Sequence, residues 1–143
     1  MRRAEIVEAA RLWLGTPYHH QASLRGVGCD CLGLVRGVWR DLCGAEPEEP
    51  PPYSSNWAES LRQETLALAA ARHLQPLAVT EANPGDVLLF RWRGHLPAKH
   101  CAILATPDRI IHAHDGAAVA EVAFTPWWRR HLSHAFSFPG VTD

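Results

Sequence analysis

The chain has 143 residues, of which 47% are hydrophobic and 20% charged, and its formal net charge at pH 7 is −1. This length and composition predict one globular domain, residues 1–143, with a hydrophobic core of its own. The near-neutral charge argues against nucleic-acid or anionic-membrane partners, since binding to either needs a strongly basic surface.

Two helices are predicted in the first third of the chain. Residues 3–14 carry apolar side chains at helical spacing, and Gly15 ends that helix. A loop over 16–30 leads to a second amphipathic helix over 31–42, with Gly44 as its C-terminal cap. The N-terminus has no apolar leader segment, and no apolar run is long enough to span a membrane. We therefore expect synthesis in a reducing bacterial cytoplasm without a signal peptide, where cysteines stay unbridged.

A third helix and then a strand meander are predicted in the rest of the chain. A surface linker rich in proline and glutamate at 46–52 precedes this helix, which runs from Trp57 to His73. Residues 106–108 form a hairpin turn between two of the strands. The predicted strands cover residues 87–90, 99–105, 109–114, 117–123 and 132–138. Helices followed by strands predict an α+β fold, with N-terminal helices packed on a central antiparallel sheet.

Cys31 is the candidate nucleophile. It follows Asp30 at the start of the second predicted helix, where the helix dipole and unpaired N–H groups favour a thiolate. The thiolate is the reactive form of cysteine, so this placement makes Cys31 a candidate nucleophile, with simple burial, the usual state of a free cysteine, as the alternative.

A base for this nucleophile is expected among the histidines of the predicted sheet. Because successive strand residues face opposite sides, a His100 that faces the Cys31 helix leaves Cys101 facing away and packed elsewhere. His112 and His114 share one face of the next strand. The hairpin can bring either of them beside His100, where it would orient the ring of the base.

The same residue types also suit a zinc site. The available ligands are Cys29, Cys31, His100, Cys101, His112 and His114. However, Cys-x-Cys is not the usual Cys-x-x-Cys zinc knuckle, and strand alternation separates His100 from Cys101. The sequence therefore favours a site without metal or other cofactor.

Four blocks follow one another along the chain in a recognisable order. They are Gly15-Thr16-Pro17-Tyr18, Asp30-Cys31-Leu32-Gly33-Leu34-Val35, Pro84-Gly85-Asp86-Val87-Leu88-Leu89-Phe90, and His100 with Ile111-His112-Ala113. Together they resemble the NlpC-type cell-wall peptidases, papain-like cysteine enzymes that cut the peptide stems of peptidoglycan. The sequence around the nucleophile and the segment Thr125-Pro126-Trp127-Trp128 are similar to those of the phage and gene-transfer-agent branch of that family.

The resemblance implies a papain-like NlpC-type fold and a role for each matching residue. Cys31 would attack the scissile carbonyl, His100 would serve as base and then as acid, and His112 would hold the His100 ring. The Cys31 backbone N–H and the Tyr18 hydroxyl would stabilise the oxyanion, and Asp30 would contact the polar end of the stem peptide.

Leu32 departs from the family pattern, in which serine usually follows the nucleophile. The resemblance implies cleavage between D-glutamate and the diamino acid. In the family the serine is associated with substrate binding, so its replacement by Leu32 argues against the usual recognition of a free stem N-terminus. It also implies delivery to the wall through a lysis pore or on a phage-like particle, whose tail proteins would be partners. An inactive tail or wall-binding module is the alternative, and the intact trio of Cys31, His100 and His112 favours the enzyme.

Overall fold

The computed structural model describes residues 1–50 and 64–143. Its helices are α1 (Arg3–Arg11), α2 (Cys31–Cys43), α3 (Thr65–His73) and α4 (Pro126–His131), with a 3-10 turn at Val79–Glu81. Within these two stretches no helix combines the length and apolar character needed to cross a bilayer.

The strands in the described stretches form a six-stranded antiparallel sheet and a separate short hairpin. The hairpin pairs β1 (Ser23–Leu24) with β2 (Gly28–Cys29). The sheet has the strand order β3-β8-β4-β5-β6-β7. Its strands are β3 (Gln75–Leu77), β4 (Val87–Phe90), β5 (His100–Thr106), β6 (Arg109–His112), β7 (Ala120–Ala123) and β8 (Leu132–Ser137).

Each face of the sheet borders its own hydrophobic core. Along β5, Cys101 and Ile103 point to the face on which α1 and α2 pack, where they join Leu34 of α2. Ala102 and Leu104 point to the opposite face and belong to a second, smaller core. The strand alternation therefore divides β5 between a side covered by α1 and α2 and a side on which Phe124 and Trp128 pack.

Asp86 ties the N-terminal helix to the central strands. It lies directly before β4, is fully buried, and its Oδ1 lies 2.7 Å from Nη1 of Arg3. Its Oδ2 accepts a hydrogen bond of 2.8 Å from the Asn83 N–H, which closes the turn into the strand. The carboxylate thus has a structural role in the Pro-Gly-Asp block, because a buried charge needs both an ionic partner and hydrogen bonds.

The α+β class, the antiparallel sheet and the start of α2 at Cys31 are confirmed. The first helix ends earlier than predicted, at Arg11, and its last residues form turns that lead to Gly15, where φ is 85°. The predicted loop 16–30 contains the β1–β2 hairpin, whose two-residue strands are too short to give an alternating pattern.

The second half of the chain differs in detail. The predicted strand 109–114 ends at His112, and β3 and α4 were not predicted. Glu46, in the predicted linker, is held against α2 by ion pairs with Arg36 and Arg40, of 2.6 and 3.0 Å. The parts of the linker and of the third helix that fall within residues 51–63 lie outside the described residues.

Candidate active site

The start of α2 is fixed by Asp30, which is buried. Its Oδ1 accepts a hydrogen bond of 2.7 Å from the Gly33 N–H, the usual N-cap contact, and its Oδ2 accepts one of 2.8 Å from the Gln21 N–H. One carboxylate thus joins the helix to the preceding loop and places Cys31 as the first helical residue. The predicted contact of Asp30 with substrate stays a prediction.

Close packing of the preceding loop explains why residue 33, in the first turn of α2, is a glycine. A Cβ at this position would fall far inside van der Waals distance of the Ala22 carbonyl oxygen. The Asp30 N–H donates to the same oxygen at 3.2 Å, so the loop lies directly on the helix. Only glycine permits this close approach, which holds the Cys31 backbone in place.

The Cys31 thiol points at the beginning of β5. Its Sγ lies 3.9 Å from the carbonyl oxygen of Lys99, and Cys31 is partly buried. A hydrogen bond from the Cys101 thiol, and then the hydrogen bond and charge of His100, hold the pKa of Cys31 well below its usual value against the opposing effect of burial. The side chain is therefore set up as a thiolate, the form that acts as a nucleophile.

His100 and His112 are in direct contact. His100 Nε2 lies 2.9 Å from His112 Nδ1, and both side chains are buried. Burial, together with the charges of His100 and His114, lowers the pKa of His112 to about 3, so His112 is neutral near pH 7. A neutral His112 with its proton on Nε2 accepts from the Nε2–H of His100, which leaves Nδ1 of His100 for Cys31.

Two tryptophan rings hold the His100 imidazole on its other sides. The Trp92 ring centroid lies 5.4 Å from that of His100, and Trp128 lies 5.5 Å away, both at 27° to the imidazole plane. These contacts fix the ring orientation through packing, while the bond to His112 fixes it through a hydrogen bond. This use of the tryptophans does not follow from the sequence, because it depends on the turn after β4 and on α4.

His114 occupies a different position from His112. It is exposed, and its ring centroid lies 5.5 Å from that of His100, without a ring-nitrogen hydrogen bond between the two among the contacts described for this site. Of the two candidates left open by strand alternation, the structure therefore brings His112 to the far nitrogen of His100. His114 stands on the wall of the cleft instead.

A cleft of about 270 Å³ opens over Cys31. Tyr18 and Leu32 lie on its wall together with Trp92 and His100. Burial, and then the negative charges of Cys31 and Asp30, raises the pKa of Tyr18 to about 12, so its hydroxyl remains a hydrogen-bond donor. The oxyanion roles of the Tyr18 hydroxyl and the Cys31 backbone N–H stay predictions.

The expectation for Cys101 was wrong. Cys101 does not pack behind the sheet but lies on the helix-covered face beside Cys31, whereas His100 shares the opposite face with its cross-strand partner Phe90. His100 still reaches Cys31 because it is the first residue of β5 and lies at the end of the sheet. In the described ranges, no group of three or more His, Cys, Asp or Glu side chains is arranged to hold a metal ion.

The comparison with known families identifies the chain. A model described as the NlpC/P60 family matches residues 15–137. The chain belongs to the NlpC/P60 family. The resemblance to the NlpC-type family is confirmed, and the family consists of cysteine peptidases that act on peptidoglycan. The phage and gene-transfer-agent branch stays a prediction. A search of curated proteins gives no match.

Solved structures of other NlpC/P60 proteins have the same fold. The NlpC/p60 domain of the peptidoglycan hydrolase SagA superposes with a TM-score of 0.70 at 22% identity, covering 96% of this chain and 100% of that domain. A family protein from Bacillus cereus gives a TM-score of 0.70 at 18% identity, covering 96% of this chain and 40% of its own. The peptidoglycan hydrolase RipB from Mycobacterium tuberculosis gives 0.61 at 16% identity, covering 94% and 63%. This NlpC/P60 chain therefore covers the whole length of the SagA domain but less than two thirds of the two longer proteins.

Proposed function

We propose that this NlpC/P60 chain is a cysteine peptidase that hydrolyses amide bonds in the stem peptides of peptidoglycan. The observation that carries the proposal is that Cys31 and His100 line one open cleft, with His112 hydrogen-bonded to Nε2 of His100. A thiolate, a base and a group that orients the base are the parts that cysteine hydrolysis requires. Membership of the family supplies the substrate class.

In the first half of the reaction, the Cys31 thiolate attacks the scissile carbonyl carbon. The oxygen of that carbonyl becomes negative and is stabilised by the Cys31 backbone N–H and the Tyr18 hydroxyl. His100 then donates its Nδ1 proton to the leaving amine, and the C–N bond breaks to give a thioester. Because His112 stays neutral, its Nδ1 accepts a hydrogen bond from Nε2–H of His100 and stabilises the imidazolium form of that ring. His112 does not take up the proton that His100 transfers.

In the second half, water replaces the amine in the cleft. His100 takes a proton from this water as it attacks the thioester carbonyl, and the thiolate of Cys31 leaves. The acid product departs and the enzyme returns to its starting state. Each proton therefore passes through one ring nitrogen of His100, whose orientation is fixed by His112 and by the two tryptophans.

The resemblance to relatives supports two finer proposals. The bond cut is that between D-glutamate and the diamino acid, and the protein reaches the wall with a phage-like particle. Leu32 gives the cleft an apolar wall where relatives carry serine, so recognition of a free stem N-terminus is reduced. Cleavage of defined muropeptides, followed by mass spectrometry, identifies the bond and compares stems with free and blocked N-termini. Leu32→Ser is expected to shift preference towards free N-termini, and absence of the protein from purified particles would contradict delivery by a particle.

Digestion of purified peptidoglycan in reducing buffer tests the activity itself. The wild type is expected to release peptide fragments, Cys31→Ala is expected to release none, and EDTA is expected to have no effect. Cys43→Ala is the matched control, because it removes a thiol at the far end of the same helix. Release by Cys31→Ala at the wild-type rate would rule out the mechanism. Tight wall binding without release by the wild type would favour an inactive binding module.

A further inference from the structure

Cys101 is a second thiol aimed at the nucleophile, and the reaction proposed above does not consume it. It is the second residue of β5 and points to the face on which α2 packs. Cys31 is the first residue of α2, packs against that same core, and directs its Sγ to the start of β5, 3.9 Å from the Lys99 carbonyl oxygen. The α2–β5 contact thus puts both side chains in one core, and the interaction between the two thiols lowers the pKa of Cys31 and raises that of Cys101.

We propose that Cys31 is a site of reversible oxidation, at which hydrogen peroxide forms a sulfenic acid that Cys101 then resolves as a Cys31–Cys101 disulfide. The inference depends on the reactive Cys31 thiolate of the proposed function but not on any peptidoglycan substrate. A pair of this kind protects a nucleophile, because a disulfide can be reduced by small thiols whereas higher oxidation states of cysteine cannot.

The two steps balance. The Cys31 thiolate attacks one peroxide oxygen, the O–O bond breaks, and hydroxide leaves, which oxidises the sulfur by two electrons to sulfenic acid. Cys101 then loses its proton and its sulfur attacks the Cys31 sulfur. The S–O bond breaks, the departing hydroxide takes up the proton as water, and the S–S bond forms. The hydroxide released in the first step takes up the proton that Cys31 lost on ionisation, so that overall two thiols and one hydrogen peroxide give one disulfide and two water molecules.

The order of reaction follows from the different charge states of the two thiols. The hydrogen bond to Cys31, burial, and then the negative charge of Cys31 raise the pKa of Cys101 well above its usual value, so Cys101 is protonated and inert towards peroxide. Oxidation turns Cys31 into a neutral sulfenic acid. This removes the charge and the hydrogen-bond acceptor that kept the proton on Cys101, so its thiolate becomes accessible only after Cys31 has reacted.

The other cysteines are less suited to resolve the sulfenic acid. Cys29 is fully buried in the β1–β2 hairpin, where backbone hydrogen bonds to Pro17 and from His19 hold it in place. Cys43 is the last residue of α2, twelve residues from Cys31, which at 1.5 Å per residue separates them by about 18 Å. Cys101 is the thiol that lies in the core between α2 and β5, against which Cys31 packs.

Peptide mapping tests the proposal without any substrate. The reduced protein is treated with a small molar excess of hydrogen peroxide near pH 7, remaining thiols are alkylated, and the sample is digested with trypsin without reduction. Cys31 falls in the tryptic peptide 26–36 and Cys101 in the peptide 100–109. We expect these peptides to be joined by a disulfide with Cys29 alkylated, and dithiothreitol to restore alkylation of Cys31.

Cys101→Val and Cys43→Val separate the resolving role from general oxidation. Cys101→Val is expected to lose the linkage, to trap dimedone at Cys31, and to accumulate sulfinic acid that dithiothreitol does not reverse. Cys43→Val is expected to behave as the wild type. A wild type whose oxidised Cys31 ends as sulfinic acid instead of the Cys101 disulfide, or that links Cys31 to Cys29, would overturn the proposal. If Cys101→Val folds poorly, the disulfide found or missing in the peptide map of the wild type decides the test. The map needs no substrate, so a protein that fails to cleave peptidoglycan can still confirm or overturn the oxidation proposal.

Discussion

Replacement of His112 by asparagine is expected to remove a pH dependence of stability while retaining the hydrogen bond to His100. The pKa of His112 is lowered from 6.5 to about 3, first by burial and then by the charges of His100 and His114. The unfolded chain therefore binds a proton below about pH 6.5 that the folded protein does not bind, and stability falls as the pH falls towards 3. Asparagine does not titrate, and its Oδ1 can accept from His100 at nearly the position of Nδ1.

The size of the effect follows from these two pKa values. Between about pH 7 and pH 4, preferential protonation of the unfolded chain at this one histidine costs about 3 kcal/mol of unfolding free energy. His112 is 6% exposed, so solvent screening does little to reduce this value. Other titrating groups contribute equally to the wild type and the variant and cancel in the difference between them.

Urea unfolding, followed by tryptophan fluorescence at several pH values, measures the difference. The wild type is expected to lose about 3 kcal/mol more than His112→Asn between about pH 7 and pH 4. His112→Leu is the matched control: it also lacks the titration, but without an acceptor for His100 its kcat is expected to fall about 10- to 100-fold. Parallel stability curves for the wild type and the asparagine variant would refute the neutral, buried state of His112.

Three further substitutions probe the cleft and its supports. Tyr18→Phe is expected to lower kcat about 10-fold or more at unchanged urea midpoint, and an unchanged kcat would exclude its hydroxyl from the oxyanion site. Arg3→Met leaves the buried carboxylate of Asp86 without its ionic partner and is expected to cost about 3 kcal/mol in urea unfolding. Asp86→Asn in the same chain should restore part of that loss, and an equal loss in both would contradict the ion-pair argument. Gly33→Ala is expected to lower the Tm through its clash with a backbone carbonyl, whereas Gly94→Ala, with open space around it, should not; equal Tm values would show that the helix start tolerates a Cβ.

The nucleophile and its helix could be predicted because their signals are local. Asp30 is an N-cap residue, the apolar side chains after it repeat at helical spacing, and Gly44 ends the helix with φ at 91°. The pairing of β5 with β6 was equally local, because Thr106 to Arg109 supply a tight turn. Both features depend on residues within one or two turns of each other.

The side of the sheet that each residue of β5 occupies could not be predicted in this way. Alternation establishes that His100 and Cys101 face opposite sides but does not say which side the helices cover. The prediction assumed that a base must point at the helix that carries its nucleophile. At the end of a strand this is unnecessary, because the imidazole extends past the first residue of β5 into the cleft that Cys31 also lines, while Cys101 faces α2 directly. The packing of the helices on the sheet, and not the local sequence pattern, decides which face His100 and Cys101 occupy.

The separation of the nucleophile from its activating groups has a consequence during protein synthesis. Cys31 leaves the ribosome well before His100 and Cys101, the residues that lower its pKa in the finished fold. Until β5 has been made and paired, Cys31 is an ordinary protonated thiol with a weak nucleophilicity. A nascent or truncated chain therefore carries no active nucleophile, and peptidase chemistry begins only when the two halves of the chain have docked.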